Sequence, residues 1–287
     1  MNAMTKGLIV LAILSSPLLA RAAVPPVTTP GFSSNALPIC DDCFSAPVPL
    51  GFTADFFGNN YTQLFVSNNG YMTFGAGQSN FTPTGLTAAY SGNPIIAPFY
   101  GDVDTRGTGT VNYGTGTYGG QAAFAVTWNN VGYFSAQTNK TNTFQAILVS
   151  NPGAGAGAFN IIYNYDQIQW ETGAASGGVN GLGGFSAAVG YANGSGLTGT
   201  YYQVPGSLVP GSFIDSGTSP LINGTNDGTA GQLFFSVVNG TVGPPPPPPT
   251  SAPEIDPATA AAGLMLLFGG LLVLRGRQPA KRLTAAA

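Results

Sequence analysis

The sequence predicts an all-β protein in which two antiparallel sheets pack against each other as a sandwich. First, apolar and polar residues alternate with a period of two in many short segments, among them AAFAVTW at 122–128 and TFQAILV at 143–149. Second, turn-forming residues separate these segments, since the 287-residue chain contains 42 glycines and 23 prolines. Third, no segment between the two ends shows a helical period for longer than a turn or two. About eight or more short strands of this kind favour a two-sheet sandwich.

The N-terminus has the features of a secretory signal peptide, which we place at residues 1–22. Lys6 supplies a positive charge, residues 7–19 are an apolar run too short for a comfortable membrane span, and residues 20–22 have the small-x-small form of a cleavage site. Residues 23–50 are rich in Pro, Thr and Ser and predict an extended arm. The arm contains the only cysteines, Cys40 and Cys43. In an oxidising compartment they favour a local disulfide over a thioredoxin-like redox pair, which needs a strand-to-helix context.

Residues 51–243 predict the β domain itself. The Asn69-Gly70 step indicates a tight hairpin turn between strands at 64–66 and 71–74. Pro98 has no amide proton, so the apolar strand at 94–100 is expected at a sheet edge or at a bulge. The segment 123–149 predicts a central hairpin with a solvent-exposed loop at 135–142. Further strands are predicted at 110–113, followed by a turn at 114–120, and at 159–165, 185–191, 201–204 and 233–238. The predicted core aromatics are Phe124, Trp128, Phe144 and Phe159.

The C-terminal segment predicts a stiff spacer followed by a membrane-inserted tail. Six consecutive prolines at 244–249 open a proline-rich linker at 244–252. Residues 257–274 are an apolar run with the length of a short transmembrane helix. The basic cluster at 275–282 predicts that the end of the chain stays in the cytoplasm.

A short motif precedes the apolar run and consists of Pro253, Glu254, Ile255, Asp256 and Pro257. It resembles the Pro-Glu-Pro type C-terminal sorting signals of bacterial exosortase substrates, with Ile255-Asp256 in place of the usual third-position proline. The resemblance implies a bacterial precursor that residues 253–287 anchor transiently in the inner membrane. An exosortase-type protease would then release the protein to the cell surface or the medium.

Charge and residue types exclude several functions. Between residues 23 and 252 the chain has nine acidic residues but only two basic ones, Arg106 and Lys140. Such a domain offers no basic stripe to a nucleic acid backbone, so nucleic acid binding is not expected. The chain contains no histidine. Its absence excludes Ser-His-Asp and Cys-His catalysis and leaves a zinc site without enough ligands.

Two sets of carboxylates are candidate site residues. Asp102 and Asp104 are two positions apart, which on a strand places both carboxylates on one face, with Arg106 next. The pattern fits a structural network around Arg106, a calcium site completed by other oxygen ligands or, with less support, a glycosidase acid/base pair. No cofactor other than calcium is expected. In the second set, Asp166 and Glu171 bracket Trp170, which fits either sugar contact or an ordinary strand end.

Several sequence blocks follow one another in a characteristic order. They are LFVSNNG at 64–70, IAPFYGDVDT at 96–105, TW at 127–128 with VGY at 131–133, NTFQ at 142–145, NYDQIQW at 164–170 and VGY at 189–191. In this order, over residues 52–240, they resemble the nidogen-like extracellular domain of nidogens, tectorins and certain membrane mucins. The resemblance implies an extracellular protein, because the animal members of the family lie in extracellular matrices and surface mucins.

We therefore expect a secreted or surface-displayed, non-enzymatic adhesion or extracellular matrix component of a bacterium, such as a biofilm protein. Its expected partners are extracellular polysaccharide and matrix or surface proteins. The adhesion class comes from the resemblance, whereas the residues themselves indicate exposure, acidity and a lack of the usual catalytic groups. A calcium-dependent carbohydrate-binding module is the first alternative. A polysaccharide-active enzyme that works through carboxylates alone is the weaker one.

Overall fold

A computed structural model describes residue 29 and residues 31–243. The predicted signal peptide at 1–22, the linker at 244–252 and the sorting signal at 253–287 lie outside these residues. Among the residues that are described, no helix is both long enough and apolar enough to cross a membrane.

The described chain consists of β-strands joined by turns, as predicted, and its only helical elements are three short 3₁₀ turns. These turns are Pro152–Ala154, Ala174–Ser176 and Leu221–Asn223. The strands are β1 (Asn35–Ala36), β2 (Val48–Phe56), β3 (Asn59–Ser67), β4 (Tyr71–Thr73), β5 (Ile95–Tyr100), β6 (Thr110–Tyr118), β7 (Gln121–Tyr133), β8 (Gln137–Ser150), β9 (Phe159–Ile168), β10 (Ala188–Ala192), β11 (Tyr201–Gln203), β12 (Gln232–Val238) and β13 (Thr241–Val242).

These strands form two antiparallel sheets, which confirms the predicted sandwich. One sheet has seven strands in the order β1-β6-β7-β8-β9-β12-β13, and the other has six in the order β11-β10-β5-β4-β3-β2. The two longest strands, β7 and β8, pair with each other in the middle of the seven-stranded sheet. The segment that the sequence marks as the central hairpin is therefore the centre of the larger sheet.

The core lies between the two sheets and takes alternate residues from each strand. The predicted core aromatics Phe124, Trp128, Phe144 and Phe159 are all buried in it. Trp128 and Phe144 stack with their ring centroids 5.0 Å apart. Because successive side chains of a strand point to opposite faces, strict alternation places these rings on one side of the sheet.

Two buried tyrosines of β9 connect the sheets through their hydroxyl groups. Tyr163 donates to the Gly190 carbonyl at 2.7 Å, and Tyr165 donates to the Pro98 carbonyl at 2.8 Å. Burial raises the pKa of both phenols well above the usual value. Both hydroxyls therefore remain protonated hydrogen-bond donors at any physiological pH.

The N-terminal arm is part of the sandwich. It contributes β1 and the start of β2, and its Phe32 packs on the outer face of the seven-stranded sheet. Gly114 and Gly116 of β6 lie directly under this arm, and a Cβ on Gly116 would come within 2.8 Å of the Phe32 ring. The turn predicted at 114–120 is therefore wrong in extent. The strand continues to Tyr118, because these glycines admit a neighbouring segment rather than reverse the chain.

Other turn predictions are confirmed or corrected. The Asn69-Gly70 turn joins β3 to β4 as expected, with Gly70 at φ +79°. Pro98 lies at an irregularity in the β5–β10 pairing, which is the bulge that its missing amide proton favoured. The exposed loop predicted at 135–142 is wrong, because β8 already begins at Gln137 and only residues 134–136 form the hairpin tip. Polar residues there occupy an exposed end of the strand.

Candidate functional site

The candidate site lies where the N-terminal arm crosses the chain that leaves β5. The predicted Cys40–Cys43 disulfide is formed, with Cα atoms 6.0 Å apart, and encloses Asp41 and Asp42. Thr105 N donates to Cys40 O at 3.0 Å, and Cys40 N donates to Thr105 Oγ1 at 3.0 Å. These two bonds hold the disulfide loop, residues 40–43, against residues 101–105.

The turn between β3 and β4 contacts both the disulfide loop and residues 101–105. Asn68 and Asn69 are fully buried, which is unusual for turn asparagines. Asn68 Nδ2 donates to Val103 O at 2.9 Å, and Asn69 Oδ1 accepts from Val103 N at 3.0 Å. Asn69 Nδ2 also donates to Asp42 Oδ1 at 2.8 Å. One turn thereby fixes the disulfide loop and the segment after β5 relative to each other.

Three carboxylates, which we call the acidic cluster, meet at this junction: Asp41, Asp42 and Asp102. One oxygen of each lies within 4.8 Å of the others. Asp102 is only 1% exposed, and Asp42 has a positive φ of 55°, a conformation that non-glycine residues seldom adopt. The cluster brings together two segments that are about 60 residues apart in the sequence.

Asp104 has a different set of hydrogen-bond partners from Asp102, although the two carboxylates are close enough to repel each other. Arg106 donates to Asp104 through Nε at 2.9 Å and through Nη2 at 2.7 Å, and the amides of Arg106 and Ala136 donate as well. Burial raises the pKa of Asp104, but the hydrogen bonds from Arg106 and Ala136 outweigh burial and leave that pKa below its usual value. Residues 103 and 104 form isolated bridges rather than a regular strand, so strand alternation does not apply to them.

Asp41 and Asp102 experience the opposite electrostatic effect, because the pKa of each carboxyl is raised. Burial first, then repulsion from Asp42 and Asp104, raises the pKa of Asp41 to about 6, although Arg106 opposes the shift. Burial first, then repulsion from Asp41 and Asp42, raises the pKa of Asp102 to about 7. Crowded, buried carboxylates of this kind hold protons near neutral pH unless a cation replaces them.

The second predicted set does not form a surface group. Trp170 and Glu171 are fully buried, and only Asp166 is exposed. The Trp170 ring meets Phe99 edge-on in the core, with centroids 5.6 Å apart. The Glu171 carboxylate accepts hydrogen bonds from Ser186 Oγ and from the amides of Gly211 and Phe213. This arrangement matches the strand-end interpretation of the pattern and leaves Asp166 as the one side chain within reach of a ligand.

A cavity of about 340 Å³ borders the acidic cluster. Its lining residues are Asp42, Ser79, Asn80, Phe81 and Thr82. The Thr82 hydroxyl shares a 2.8 Å hydrogen bond with the Ser176 hydroxyl, which connects this wall to the glycine-rich segment at 173–186. A carboxylate, hydroxyls, an amide and one aromatic ring are the groups with which proteins orient polar ligands.

Asp41 and Asp42 were not among the site residues predicted from the sequence. The sequence did contain an indication of their role, because two adjacent acidic residues between two cysteines are held in a fixed loop once the disulfide forms. What the sequence does not show is the third member, since Asp102 reaches them only through the contacts of Thr105 and Val103.

The fold and the site define a disulfide-containing, all-β sandwich domain with an acidic loop junction. The chain belongs to the family described as NIDO related, whose model matches residues 26–216. This membership confirms the nidogen-like resemblance of the sequence blocks.

Curated relatives share the same region. Alpha-tectorin of Homo sapiens is 34% identical over 197 residues, which is 60% of this chain and 9% of that protein. Alpha-tectorin of Gallus gallus is 33% identical over the same length, and nidogen of Drosophila melanogaster is 28% identical over 146 residues, or 42% of this chain and 10% of the nidogen. The matching region is thus about a tenth of the length of these relatives. No solved structure matches the chain significantly.

Proposed function

We propose that the chain is a non-enzymatic adhesion or extracellular matrix protein that binds extracellular polysaccharide or matrix and surface proteins. The observation that carries this proposal is the NIDO-related match, which spans eleven of the thirteen described strands. Alpha-tectorin and nidogen share the domain, and the nidogen-like resemblance implies extracellular matrix members. Family membership therefore favours a binding role outside the cell over catalysis.

The binding surface that the geometry favours is a group of loops that we call the loop face, at residues 39–44, 79–82 and 173–186. Four of the six large hydrophobic side chains that are exposed among the described residues belong to it. They are Ile39, Phe44, Val179 and Phe185. Exposed apolar side chains that recur in one set of loops are typical of interaction surfaces.

The proposal is tested by measuring how much of the protein is retained on extracellular material. The purified protein is incubated with bacterial polysaccharides and with envelope fractions, both with calcium and with a chelator, and the retained fraction is measured. We expect retention that Phe44→Ser lowers and that Leu197→Ser leaves unchanged, because Leu197 is also apolar and even more exposed but lies outside the loop face. No retention on any fraction, or equal losses in both variants, would contradict the proposal.

A second candidate function is carbohydrate binding in the cavity beside Asp42. The observation that favours it is the lining, which combines Phe81 with the polar groups of Asp42 and Thr82. Oligosaccharides made from the retained polysaccharide would be titrated calorimetrically into the wild type and into Phe81→Ala. Loss of stacking on one aromatic ring should weaken binding by about 1–3 kcal/mol. Unchanged affinity would remove this candidate.

Carboxylate-only catalysis is the weaker alternative. The chain has no histidine, and Glu171 is fully engaged in backbone and hydroxyl hydrogen bonds. We expect no release of reducing sugars from a panel of glycans. Release that Asp102→Asn abolishes would overturn the non-enzymatic assignment.

The proposed location is the surface or surroundings of a bacterium, where the protein would contribute to a biofilm. The sequence motif Pro253–Pro257, the proline-rich linker and the basic cluster at 275–282 support export with a transient inner-membrane anchor. The processing partner in this scheme is an exosortase-type protease. The predicted signal peptide at 1–22 supports the same route.

A further inference from the structure

We propose that Asp41, Asp42 and Asp102 form a calcium-binding site that joins the disulfide loop to the segment after β5. One oxygen from each carboxylate lies within 4.8 Å of the others, a spacing that a single cation can bridge. Asp104 is not a ligand in this proposal, because Arg106 and Ala136 already occupy both of its oxygens.

The hydrogen-bond partners leave oxygens of the cluster available. Asp41 Oδ2 accepts a hydrogen bond from Arg106 Nη2 at 2.8 Å, and Asp41 Oδ1 is buried without a partner. Asp42 Oδ1 accepts a hydrogen bond from Asn69 Nδ2 at 2.8 Å. Asp102 Oδ2 is buried without any partner, in a residue that is 1% exposed. A buried carboxylate oxygen without a donor is costly and rare, so in its ionised form this atom favours a bound cation.

Unsatisfied polar atoms are concentrated around this junction. Five buried side-chain oxygens lack a partner among the described residues, and two of them belong to the cluster. Two more are in adjoining residues: Asn68, whose amide nitrogen contacts Val103 O and Cys40 O, and Thr172, next to the Gly173 that packs on Asp102. The junction is therefore the part of the described domain in which uncompensated oxygen atoms accumulate.

The charge balance also favours a cation. Asp41, Asp42, Asp102 and Asp104 lie around a single basic side chain, Arg106. Arg106 already divides its hydrogen bonds between Asp104 and Asp41. A divalent cation would reduce the remaining negative charge where repulsion is strongest.

The ligand type indicates calcium. All available ligand atoms are oxygens, and the paired cysteines and absent histidines exclude a zinc-type site. The ligands come from irregular loops rather than from one rigid element, which calcium tolerates and magnesium, with its strict octahedral geometry, does not. Gly173 packs against Asp102, since a Cβ there would come within 2.2 Å of Asp102 Oδ2. A larger residue at this position would therefore displace the Asp102 carboxylate.

Terbium luminescence provides a direct measurement, because the two tryptophans of the chain lie beside the site. Trp128 Nε1 donates to Asn68 O at 3.0 Å, and the Trp170 ring would lie 3.5 Å from a Cβ on Gly101, the neighbour of Asp102. The full chain in mild detergent is stripped with EDTA and titrated with terbium under tryptophan excitation. We expect saturable terbium emission. Calcium should displace the bound terbium and abolish this emission, and magnesium should displace terbium at least about ten times less effectively.

Variants separate a ligand role from a structural one. Asp102→Asn and Asp42→Asn should each weaken terbium and calcium binding about tenfold or more, and the exposed Asp166→Asn serves as the matched control and should change nothing. Asp42→Asn keeps an oxygen that can accept the bond from Asn69, so it preserves the loop. At pH 8 in EDTA, Asp102→Asn should melt no lower than the wild type, since it removes a repelled charge, but calcium should no longer raise its Tm.

Three results would overturn the calcium site. They are the absence of saturable terbium emission, undiminished binding in both cluster variants, and equal displacement by magnesium and calcium. Each of these results leaves the adhesion proposal standing, because that proposal is tested by retention in the presence of a chelator.

Discussion

Truncation of Glu171 to alanine should destabilise the domain more than any surface change, because its carboxylate is fully buried and accepts three hydrogen bonds. The donors are Ser186 Oγ and the amides of Gly211 and Phe213, and these amides belong to the long connection between β11 and β12. Glu171→Ala leaves all three donors without an acceptor, two of them on buried residues, and opens a cavity. Removal of one partner from such a buried charged network costs about 3–5 kcal/mol. Glu171→Gln keeps one acceptor oxygen but turns an amide group toward a donor, so it should cost about 2–3 kcal/mol.

Urea unfolding followed by tryptophan fluorescence measures this loss, since Trp170 is the preceding residue and is buried. Asp166→Asn, an exposed carboxyl five positions earlier, is the control and should change stability by no more than about 0.5 kcal/mol. Hydrogen exchange at Gly211 and Phe213 should accelerate in Glu171→Ala, because the amides lose their acceptor. An unchanged urea midpoint together with unchanged exchange at these two amides would refute the reasoning.

Four further outcomes are expected. Without calcium, the free energy of unfolding should fall by roughly 2 kcal/mol, after allowance for solvent screening, as the pH rises from about 4 to about 7. The reason is that the pKa of Asp102 is about 7 in the folded protein and near 4 in the unfolded chain, so the folded state binds an extra proton in this range. Urea titrations at pH 5 and pH 8 measure the loss. Asp104→Ala should destabilise by about 1–3 kcal/mol at neutral pH through the orphaned donors, with little dependence on calcium in thermal melts. Gly70→Ala should fail to give soluble protein or melt far lower in thermal scans, since its Cβ would come within 1.7 Å of Phe99 O. Mass spectrometry of released protein should find no peptide beyond about residue 260, and intact peptides from 264–275 as the dominant form would contradict processing.

The alternation of apolar and polar residues was sufficient to predict the strands that form the core. Phe124, Trp128 and Phe144 recur at even spacing because one face of their strands is buried and the other is not. The same reasoning failed for β6, where Gly114 and Gly116 interrupt the pattern. There the missing side-chain volume is filled by Phe32, which lies about 80 residues earlier in the chain, and local periodicity contains no information about such a neighbour.

The acidic cluster could not be predicted from local sequence patterns either, because its members come from distant segments of the chain. The prediction assigned Asp102 to the same face as Asp104, which assumes that the strand continues past Tyr100. The strand ends there, and long-range hydrogen bonds between Cys40 and Thr105 then decide which carboxylates meet. The composition did indicate the importance of Arg106, because a nearly uncharged domain has few other partners for a buried carboxylate.

The last described strand, β13, determines where the domain yields if it is pulled by its C-terminal end. β13 lies at the edge of the seven-stranded sheet and pairs with β12 through only two residue pairs, Val237↔Val242 and Val238↔Thr241. Behind it, β12 pairs with β9 over six residues and covers the core. Tension transmitted through the proline-rich linker would therefore detach β13 first and lengthen the tether by roughly 15 Å at about 3.3–3.6 Å per residue. Val242 would leave the core in this step, but β12 and β9 would stay paired, so a domain held by such a linker would gain length under load before its sheets separate.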